Sequence, residues 1–254
     1  MNGEEVTKPS LKLKEGDSVF QTAEWEEASE SSSIDPIDLQ LPVLYEDEDC
    51  LVINKPAGFA VHPGAGIPEG DPTILHGIAH LFTERGISFS SDGVLVHRLD
   101  KETTGCLLAA KTPEAHGLLQ KQFEHRDVSK VYLAVVLGQP DPPKAIVDAP
   151  IGRNLTDRTK MSVLRTSVSR EAKTTYRTLE TVSSASLLQC HLHTGRTHQI
   201  RVHLSSIGHP ILGDVVYSSS QSEQCTEQHN IECLCLHAWK LTFLSPTKLK
   251  EISV

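Results

Sequence analysis

The segment His97–Gly105, HRLDKETTG, carries the densest set of reactive side chains in this 254-residue chain. Asp100 can act as a nucleophile or a base. The Arg98 guanidinium can bind phosphate or stack on a flat ring. The alternative is a surface turn with a solvated ion pair, and composition alone does not separate the two interpretations.

A second reactive segment is His193–His203, HTGRTHQIRVH. Gly195 permits a tight turn into a predicted helix, whose unpaired N-terminal N–H groups suit phosphate. Arg196 precedes that helix, and Arg201 lies about one turn beyond His198, from where it can reach a carboxylate. A helix cap with basic residues in solvent is the alternative, but the density of arginine and histidine favours a functional site.

Two further segments are weak signals when taken alone. NKPAGFAVHP, residues 54–63, is a strand end followed by a loop that two prolines and a glycine make rigid. KVYLAV, residues 130–135, is an apolar strand in which Tyr132 would ordinarily belong to the core.

Together and in this order, NKPAGFAVHP, HRLDKETTG, KVYLAVVLG and TGRTHQIRVHL with a later GHPILGD resemble the RluA/RluD-type RNA pseudouridine synthases. The resemblance covers about residues 43–244. It implies the pseudouridine synthase fold and isomerisation of uridine to pseudouridine in RNA, without a metal, nucleotide or redox cofactor. Large-subunit ribosomal RNA is the expected partner, and transfer RNA is the alternative.

The resemblance also implies roles for single residues. Asp100 matches the family's essential aspartate, Arg201 the arginine that pairs with it, and Tyr132 the tyrosine that lies against the target base. Arg98 matches the residue that fills the space left by a flipped-out uridine, and Ile200 would line the uracil pocket. The other residues assigned to substrate and RNA binding are His97, Arg196, His198, Lys55 and Thr104. Thr104 stands where the family usually has serine, so the hydroxyl is retained.

The net charge of −9 argues against nucleic acid until its distribution is considered. Residues 15–49 hold twelve acids and no lysine or arginine, whereas residues 50–254 carry a net charge of +2. Residues 151–201 hold nine bases against three acids. A polyanionic partner is therefore allowed but not required. The predicted phosphate-contacting residues of this basic stretch are Arg153, Arg158, Lys160 and Arg165.

The apolar patterning predicts an α+β fold around a mostly antiparallel mixed sheet with flanking helices and loops. Residues 44–53 read as a hairpin. Helices are predicted over 74–83, 113–125 and 198–206. Further strands are predicted near 94–96, 106–110, 131–137, 145–148, 161–165, 173–182, 186–193 and 234–244. Residues 218–230 are polar and are predicted to form an insertion loop.

Three segments are expected along the chain. Residues 1–20 resemble the C-terminal remnant of the small alpha-L (S4-like) RNA-binding module. Residues 21–42 are rich in Ser, Glu and Asp and are predicted to be an acidic flexible linker. Residues 43–254 would then be the catalytic domain.

The sequence also bears on the compartment. Six irregularly spaced cysteines indicate reduced thiols rather than a disulfide framework. No apolar run approaches the ~20 residues of a membrane span, and the acidic N-terminus does not resemble a secretory signal. We expect an intracellular monomer, cytoplasmic or organellar, without membrane contact.

Three other functions are compatible with parts of the sequence. A catalytically inactive RNA-binding module predicts loss of Asp100, Tyr132 or Arg201, and all three are present. A zinc protein could use Cys233, Cys235 and His237, which alternate along a strand, but structural zinc usually requires C-x2-4-C pairs. A hydrolase using Asp100 and His97 would need a nucleophile elbow, which the sequence does not contain.

Overall fold

The computed structural model describes residues 34–64, 66–68, 70–157, 159–163 and 168–254, together with residues 16 and 18. The strands within these residues are β1 (Val43–Glu46), β2 (Cys50–Lys55), β3 (Thr104–Ala110), β4 (Ser129–Leu137), β5 (Lys144–Asp148), β6 (Ile151–Arg153), β7 (Met161–Val163), β8 (Lys173–Val182), β9 (Ala185–Leu192), β10 (Leu236–Leu244) and β11 (Glu251–Ser253). The helices are α1 (Ile74–Glu84), α2 (Pro113–His125), α3 (Gln199–Ser206) and α4 (Ser220–Gln228), with a 3-10 turn at Ser91–Gly93.

Nine of these strands form one sheet in the order β1-β2-β3-β10-β4-β9-β8-β5, with β11 added against β10. The β3–β10 pair is parallel, and the other pairs of this sheet are antiparallel. β6 and β7 form a separate hairpin. The predicted α+β class with a mostly antiparallel mixed sheet is confirmed.

The central strands are covered on both faces. On β3, Leu107 and Ala109 join the core cluster that includes α1, whereas Cys106 and Leu108 join the cluster that includes Leu119 of α2. Because side chains alternate across a strand, a strand covered on both faces must be apolar at successive positions. The run CLLAA in β3 therefore follows from its place in the middle of the sheet.

Most predicted elements are present within two residues of their expected bounds. Thr112 caps α2 as expected, since its hydroxyl accepts a hydrogen bond from the Ala115 N–H (3.1 Å). The predicted strand over 94–96 is wrong. Only Leu95 makes a bridge there, to Ala109, because the 3-10 turn before it and the polar loop after it divert the chain from the sheet.

The predicted loop over 218–230 is also wrong, because most of it is helix α4. Ser219 caps this helix reciprocally with Ser222, and Cys225 is buried beneath it. The helix is otherwise polar, so its sequence lacks the apolar periodicity that identifies most helices. The three-residue strands β6 and β11 were likewise not predicted.

Residues 34–42 belong to the segment expected to be a flexible linker, but they pack against α1. Leu41 is buried, Ile34 and Leu39 contact the same core cluster, and the Ile37 N–H donates to the His76 carbonyl oxygen (3.2 Å). The compact unit begins at residue 34. The segments expected over 1–20 and 21–33 lie outside the described residues, apart from 16 and 18. No helix of the described part has the length and apolarity to cross a membrane.

Candidate active site

Asp100 lies in the loop that leads into β3, and its side chain is 20% exposed. The loop turns because the Thr103 N–H donates to the Asp100 carbonyl oxygen (3.1 Å). Behind the loop, the fully buried Lys55 Nζ donates to the carbonyl oxygens of Pro56 (2.7 Å) and Lys101 (2.8 Å). These contacts tie the Asp100 loop to the end of β2.

The loop enters β3 at a position that admits only glycine. Gly105 has φ +106°, and a Cβ there would collide with the carbonyl oxygen of Ala238 on the parallel neighbour β10. Beside it, the Thr104 hydroxyl lies 2.7 Å from Nδ1 of His237. The close approach of β3 and β10 therefore fixes where the loop ends.

Arg201, on α3, is shared between two carboxylates. Its Nε and Nη2 donate to the two oxygens of Asp214 at 2.7 and 2.8 Å, whereas its Nη1 lies 3.5 Å from Oδ2 of Asp100. Burial opposes ionisation of Asp214, but hydrogen bonds from Arg201 lower its pKa overall. The guanidinium is therefore held by Asp214 and presented to Asp100.

The loop after Asp214 closes the other side of Arg201. Oδ1 of Asp214 also accepts from the N–H groups of Val216 (2.9 Å) and Tyr217 (3.1 Å). The Tyr217 ring lies 5.1 Å from the guanidinium carbon, and its hydroxyl is 2.7 Å from Nδ1 of His198. Burial lowers the pKa of His198 while Asp100 acts in the opposite direction, so the imidazole is neutral at neutral pH.

Tyr132, on β4, lines a cavity of about 420 Å³ together with Asp100, Arg201 and Ile200. This volume falls in the range of ligand pockets, roughly 300–1,000 Å³. Burial raises the pKa of the Tyr132 phenol, and the Asp100 carboxylate raises it further. The phenol therefore keeps its proton at neutral pH and can take part in proton transfer.

The start of α3 is held by a buried polar network centred on Gln199. Its Oε1 accepts from the Thr194 hydroxyl (2.7 Å), and its Nε2 donates to the Thr174 hydroxyl (2.9 Å). His203 Nδ1 lies 2.9 Å from the same hydroxyl, and its Nε2 donates to the Ala149 carbonyl oxygen (2.9 Å). Because every member is satisfied, the network fixes the helix that carries Ile200 and Arg201.

The structure brings eight of the ten predicted site residues to one cavity: His97, Arg98, Asp100, Tyr132, Arg196, His198, Ile200 and Arg201. His97 is neutral there, since burial lowers its pKa to about 3 and its Nε2 accepts from the Leu108 N–H (2.9 Å). Arg98 is exposed. The Arg196 guanidinium donates through Nε to the Glu171 carbonyl oxygen (3.0 Å).

Lys55 and Thr104 do not line the cavity, and their roles in substrate binding stay predictions. Lys55 ends β2, where the returning Asp100 loop covers it and supplies one of its two acceptors, the Lys101 carbonyl oxygen. Thr104 instead forms a hydrogen bond with Nδ1 of His237. His237 is one of the three residues of the zinc alternative, so this hydrogen bond already occupies one of its ring nitrogens. Of the predicted phosphate-contacting residues, Arg153 and Lys160 do not line the cavity, and Arg158 and Arg165 lie outside the described residues.

Sequence reasoning missed several residues that build the site. Asp214 is the last residue of GHPILGD, and the sequence analysis gives it no role. The available signal was a single carboxylate directly after an apolar stretch. Gln199, Tyr217 and Lys130 were also overlooked. Among the described residues, no group of three or more His, Cys, Asp or Glu side chains is placed to hold a metal ion.

Comparison with known proteins gives consistent matches. The family model described as RNA pseudouridylate synthase matches residues 49–206. Ribosomal large subunit pseudouridine synthase D of Nitrosomonas europaea is 42% identical over 91% of this chain and 65% of that protein. The protein of the same name from Vibrio cholerae is 39% identical over 99% of this chain and 77% of that protein. The chain thus spans about two thirds to three quarters of the length of these two relatives.

Two solved human structures share the fold. Human RNA Pseudouridylate Synthase Domain Containing 4 is 30% identical, with a TM-score of 0.66, over 84% of this chain and 86% of that chain. Human RNA Pseudouridylate Synthase Domain Containing 1 is 27% identical, with a TM-score of 0.67, over 84% of this chain and 82% of that chain.

Proposed function

Because the chain belongs to the RNA pseudouridylate synthase family, we propose that it isomerises uridine to pseudouridine in RNA, with Asp100 as the nucleophile. One observation carries the proposal: Asp100, Tyr132 and Arg201, from three separate segments of the chain, line a single cavity beside Ile200. A carboxylate, a protonated phenol and a fixed guanidinium are the groups that this isomerisation needs.

The reaction balances without a co-reactant. The bond from uracil N1 to ribose C1′ breaks, the base turns, and C5 bonds to C1′. The hydrogen on C5 leaves as a proton, and N1 gains one, so the oxidation state is unchanged. Asp100 either attacks the ribose or assists elimination to a glycal. Tyr132 is positioned for proton transfer at the base, and Arg201 keeps the Asp100 carboxylate oriented.

A uridine within a helix cannot reach this partly buried carboxylate inside the cavity, so the target nucleotide must leave the base stack. Arg98 is exposed and lies two residues from Asp100 at the cavity. Its planar guanidinium can stack on the neighbouring bases and occupy the vacated space. Ile200 supplies an apolar wall for the flipped uracil.

We further propose that the substrate is large-subunit ribosomal RNA. The names of the relatives that are 39–42% identical support this choice. Transfer RNA is the alternative. The enzyme would then act as a monomer in a compartment that holds ribosomal RNA, the cytoplasm or an organelle.

The test uses the whole chain and its Asp100→Asn variant on fragments of ribosomal and transfer RNA. Pseudouridine is mapped by carbodiimide modification and primer extension, and tritium release from C5-labelled uridine gives the rate. Asp148→Asn, on an exposed aspartate of β5, is the matched control. We expect product from wild type and from Asp148→Asn, and a loss of at least ~10³-fold in Asp100→Asn.

Product from Asp100→Asn at the wild-type rate would overturn the assignment of the nucleophile. RNA binding by wild type without any product would instead support a binding module. Product on transfer RNA alone would replace the proposed substrate but leave the reaction standing.

A further inference from the structure

Two cations of the cavity wall have no part in the reaction described above. Arg126 follows the last residue of α2, and Lys130 is on β4, two residues before Tyr132. Both line the cavity that holds Asp100. Because residues two apart on a strand share a face at about 6.6 Å spacing, Lys130 lies beside Tyr132 on the cavity side of the sheet.

Neither cation has an anionic partner in the part of the chain that the structure describes. Among the described residues, no carboxylate oxygen lies within 4.0 Å of either one. The Lys130 ammonium lies 5.8 Å from the centre of the Phe123 ring. No hydrogen-bond acceptor of the described residues lies within reach of this ammonium. Glu124 also lines the cavity, but it is exposed and pairs with neither. Burial lowers the pKa of Lys130, and the charge of Arg126 lowers it further.

The backbone conformation at Arg126 disfavours any side chain, and the side chain of Arg126 is exposed. Arg126 ends α2 in the left-handed conformation, with φ 66°. Glycine is the usual residue where a helix ends in this way, because any Cβ is disfavoured there. An arginine at this position gives up stability and places a guanidinium at the cavity.

Gly195 keeps the approach to Lys130 open. A Cβ at this position would lie 3.7 Å from Nζ of Lys130, so any larger side chain would cover the ammonium. Gly195 is exposed and lines the same cavity. An anion arriving from solvent can therefore reach Lys130 past Gly195.

We propose that Arg126 and Lys130 bind a backbone phosphate of the RNA next to the target uridine, an inference that rests on the proposed function. A phosphate diester supplies the anionic oxygens that both cations lack. The spacing of Lys130 from Tyr132 places this phosphate about one nucleotide from the base that Tyr132 contacts. This phosphate contact positions the RNA strand that carries the uridine and contributes no base specificity.

The first experiment measures RNA binding as a function of salt, in the Asp100→Asn background so that no product forms. The variants are Arg126→Gly, Lys130→Gln and, as the matched control, Lys250→Gln on an exposed lysine near the C-terminus. Removing one phosphate contact should lower the slope of log K against log salt by about 0.7–0.9 and weaken binding roughly fivefold at ~0.1 M salt. Lys250→Gln should leave both unchanged.

Arg126→Gly separates binding from folding. Glycine suits the left-handed backbone and retains the N–H that donates to the Gln122 and Phe123 carbonyl oxygens. The variant should therefore unfold at the same or a higher denaturant concentration while it binds RNA more weakly. Unchanged salt slopes in both variants would overturn the proposal.

The second experiment identifies the phosphate. RNA carrying one neutral methylphosphonate, on one side or the other of the target uridine, is bound by wild type and by the double variant Arg126→Gly/Lys130→Gln. We expect one of the two methylphosphonates to weaken wild-type binding to the level of the double variant, which should lose nothing more on that RNA. If the double variant binds each RNA more weakly than wild type by the same factor, the phosphate contact is wrong. Because binding is the readout, failure to form pseudouridine would overturn the proposed function separately.

Discussion

Two lysines near the catalytic loop have opposite surroundings. Lys55, behind the Asp100 loop, is fully buried and donates to two carbonyl oxygens. Lys130, on the cavity wall, is partly buried and has no acceptor among the described residues. Both ammonium groups have lost water, but only that of Lys55 has protein groups in its place.

This difference separates positioning from binding. An ammonium whose hydrogen bonds are satisfied within the protein holds the backbone in one arrangement, and it offers little to a ligand. An ammonium that has lost water without gaining a partner is unfavourable, and binding of an anion offsets that cost. Lysine at residue 55 therefore holds a loop in place, whereas lysine at residue 130 is available to bind the phosphate that we propose.

The sharpest test of this distinction compares Lys55→Met with Lys130→Met in pseudouridine formation. Lys55→Met should lower kcat by roughly 100-fold with little change in KM, because small displacements of a reacting group have effects of that size. Lys130→Met should raise KM roughly fivefold and leave kcat unchanged. Steady-state kinetics on one RNA fragment measures both. Matching effects on kcat and KM in the two variants would remove the distinction.

The pH dependence of stability gives the next largest effect. Burial lowers the pKa of Lys55 from 10.5 to about 8, while nearby Glu102 and Asp100 act in the opposite direction. Between these values the unfolded chain binds more protons than the folded one, so folding stability rises with pH through this window. Relative to Lys55→Met, wild type should gain up to about 3 kcal/mol between pH ~7.5 and ~10.5. Urea unfolding at several pH values measures it, and a constant difference would contradict the assignment.

Asp214 extends the comparison to a buried carboxylate with full partners. Asp214→Asn keeps one of the two accepting oxygens, replaces the other with an NH2 donor and leaves Arg201 without its main counter-charge. We therefore expect a loss of about 3 kcal/mol in unfolding free energy. The control is Asp148→Asn, which removes an exposed ion pair to Lys173 at 3.8 Å and should change stability by less than ~0.5 kcal/mol. Equal losses in the two variants would show that the Asp214 pair contributes no more than a surface pair.

The parts of the site that the sequence predicted are those with strong local signals. Asp100, Arg201 and their flanking glycines lie in dense polar segments, and the resemblance supplied their pairing and the role of Tyr132. The helices α1 and α2 carry apolar periodicity and a threonine cap that are visible in the sequence. These features depend on neighbours a few residues apart.

The missed parts depend on distant residues. The burial of Lys55 is set by a carbonyl 46 residues away, and the link from Arg201 to Asp214 spans 13 residues and a tight turn. Residues 34–42 looked like a linker because of their composition, although Leu39 and Leu41 find partners on α1. The local sequence pattern cannot show such contacts, because the residues next to each of these positions in the sequence are compatible with an exposed side chain.

The smallest predicted effect is a gain in stability on removing the Lys130 charge. Lys130→Met keeps the length and apolar contact of the side chain on Phe123 but removes an ammonium that has lost water without gaining an acceptor. Unfolding free energy should rise by about 0.5–1 kcal/mol, while Lys250→Met on the exposed control should stay within ~0.5 kcal/mol. Thermal and urea unfolding of the three proteins measure it. A loss of stability in Lys130→Met would mean that the ammonium is satisfied by the protein, and residues 55 and 130 would then be two examples of one structural role.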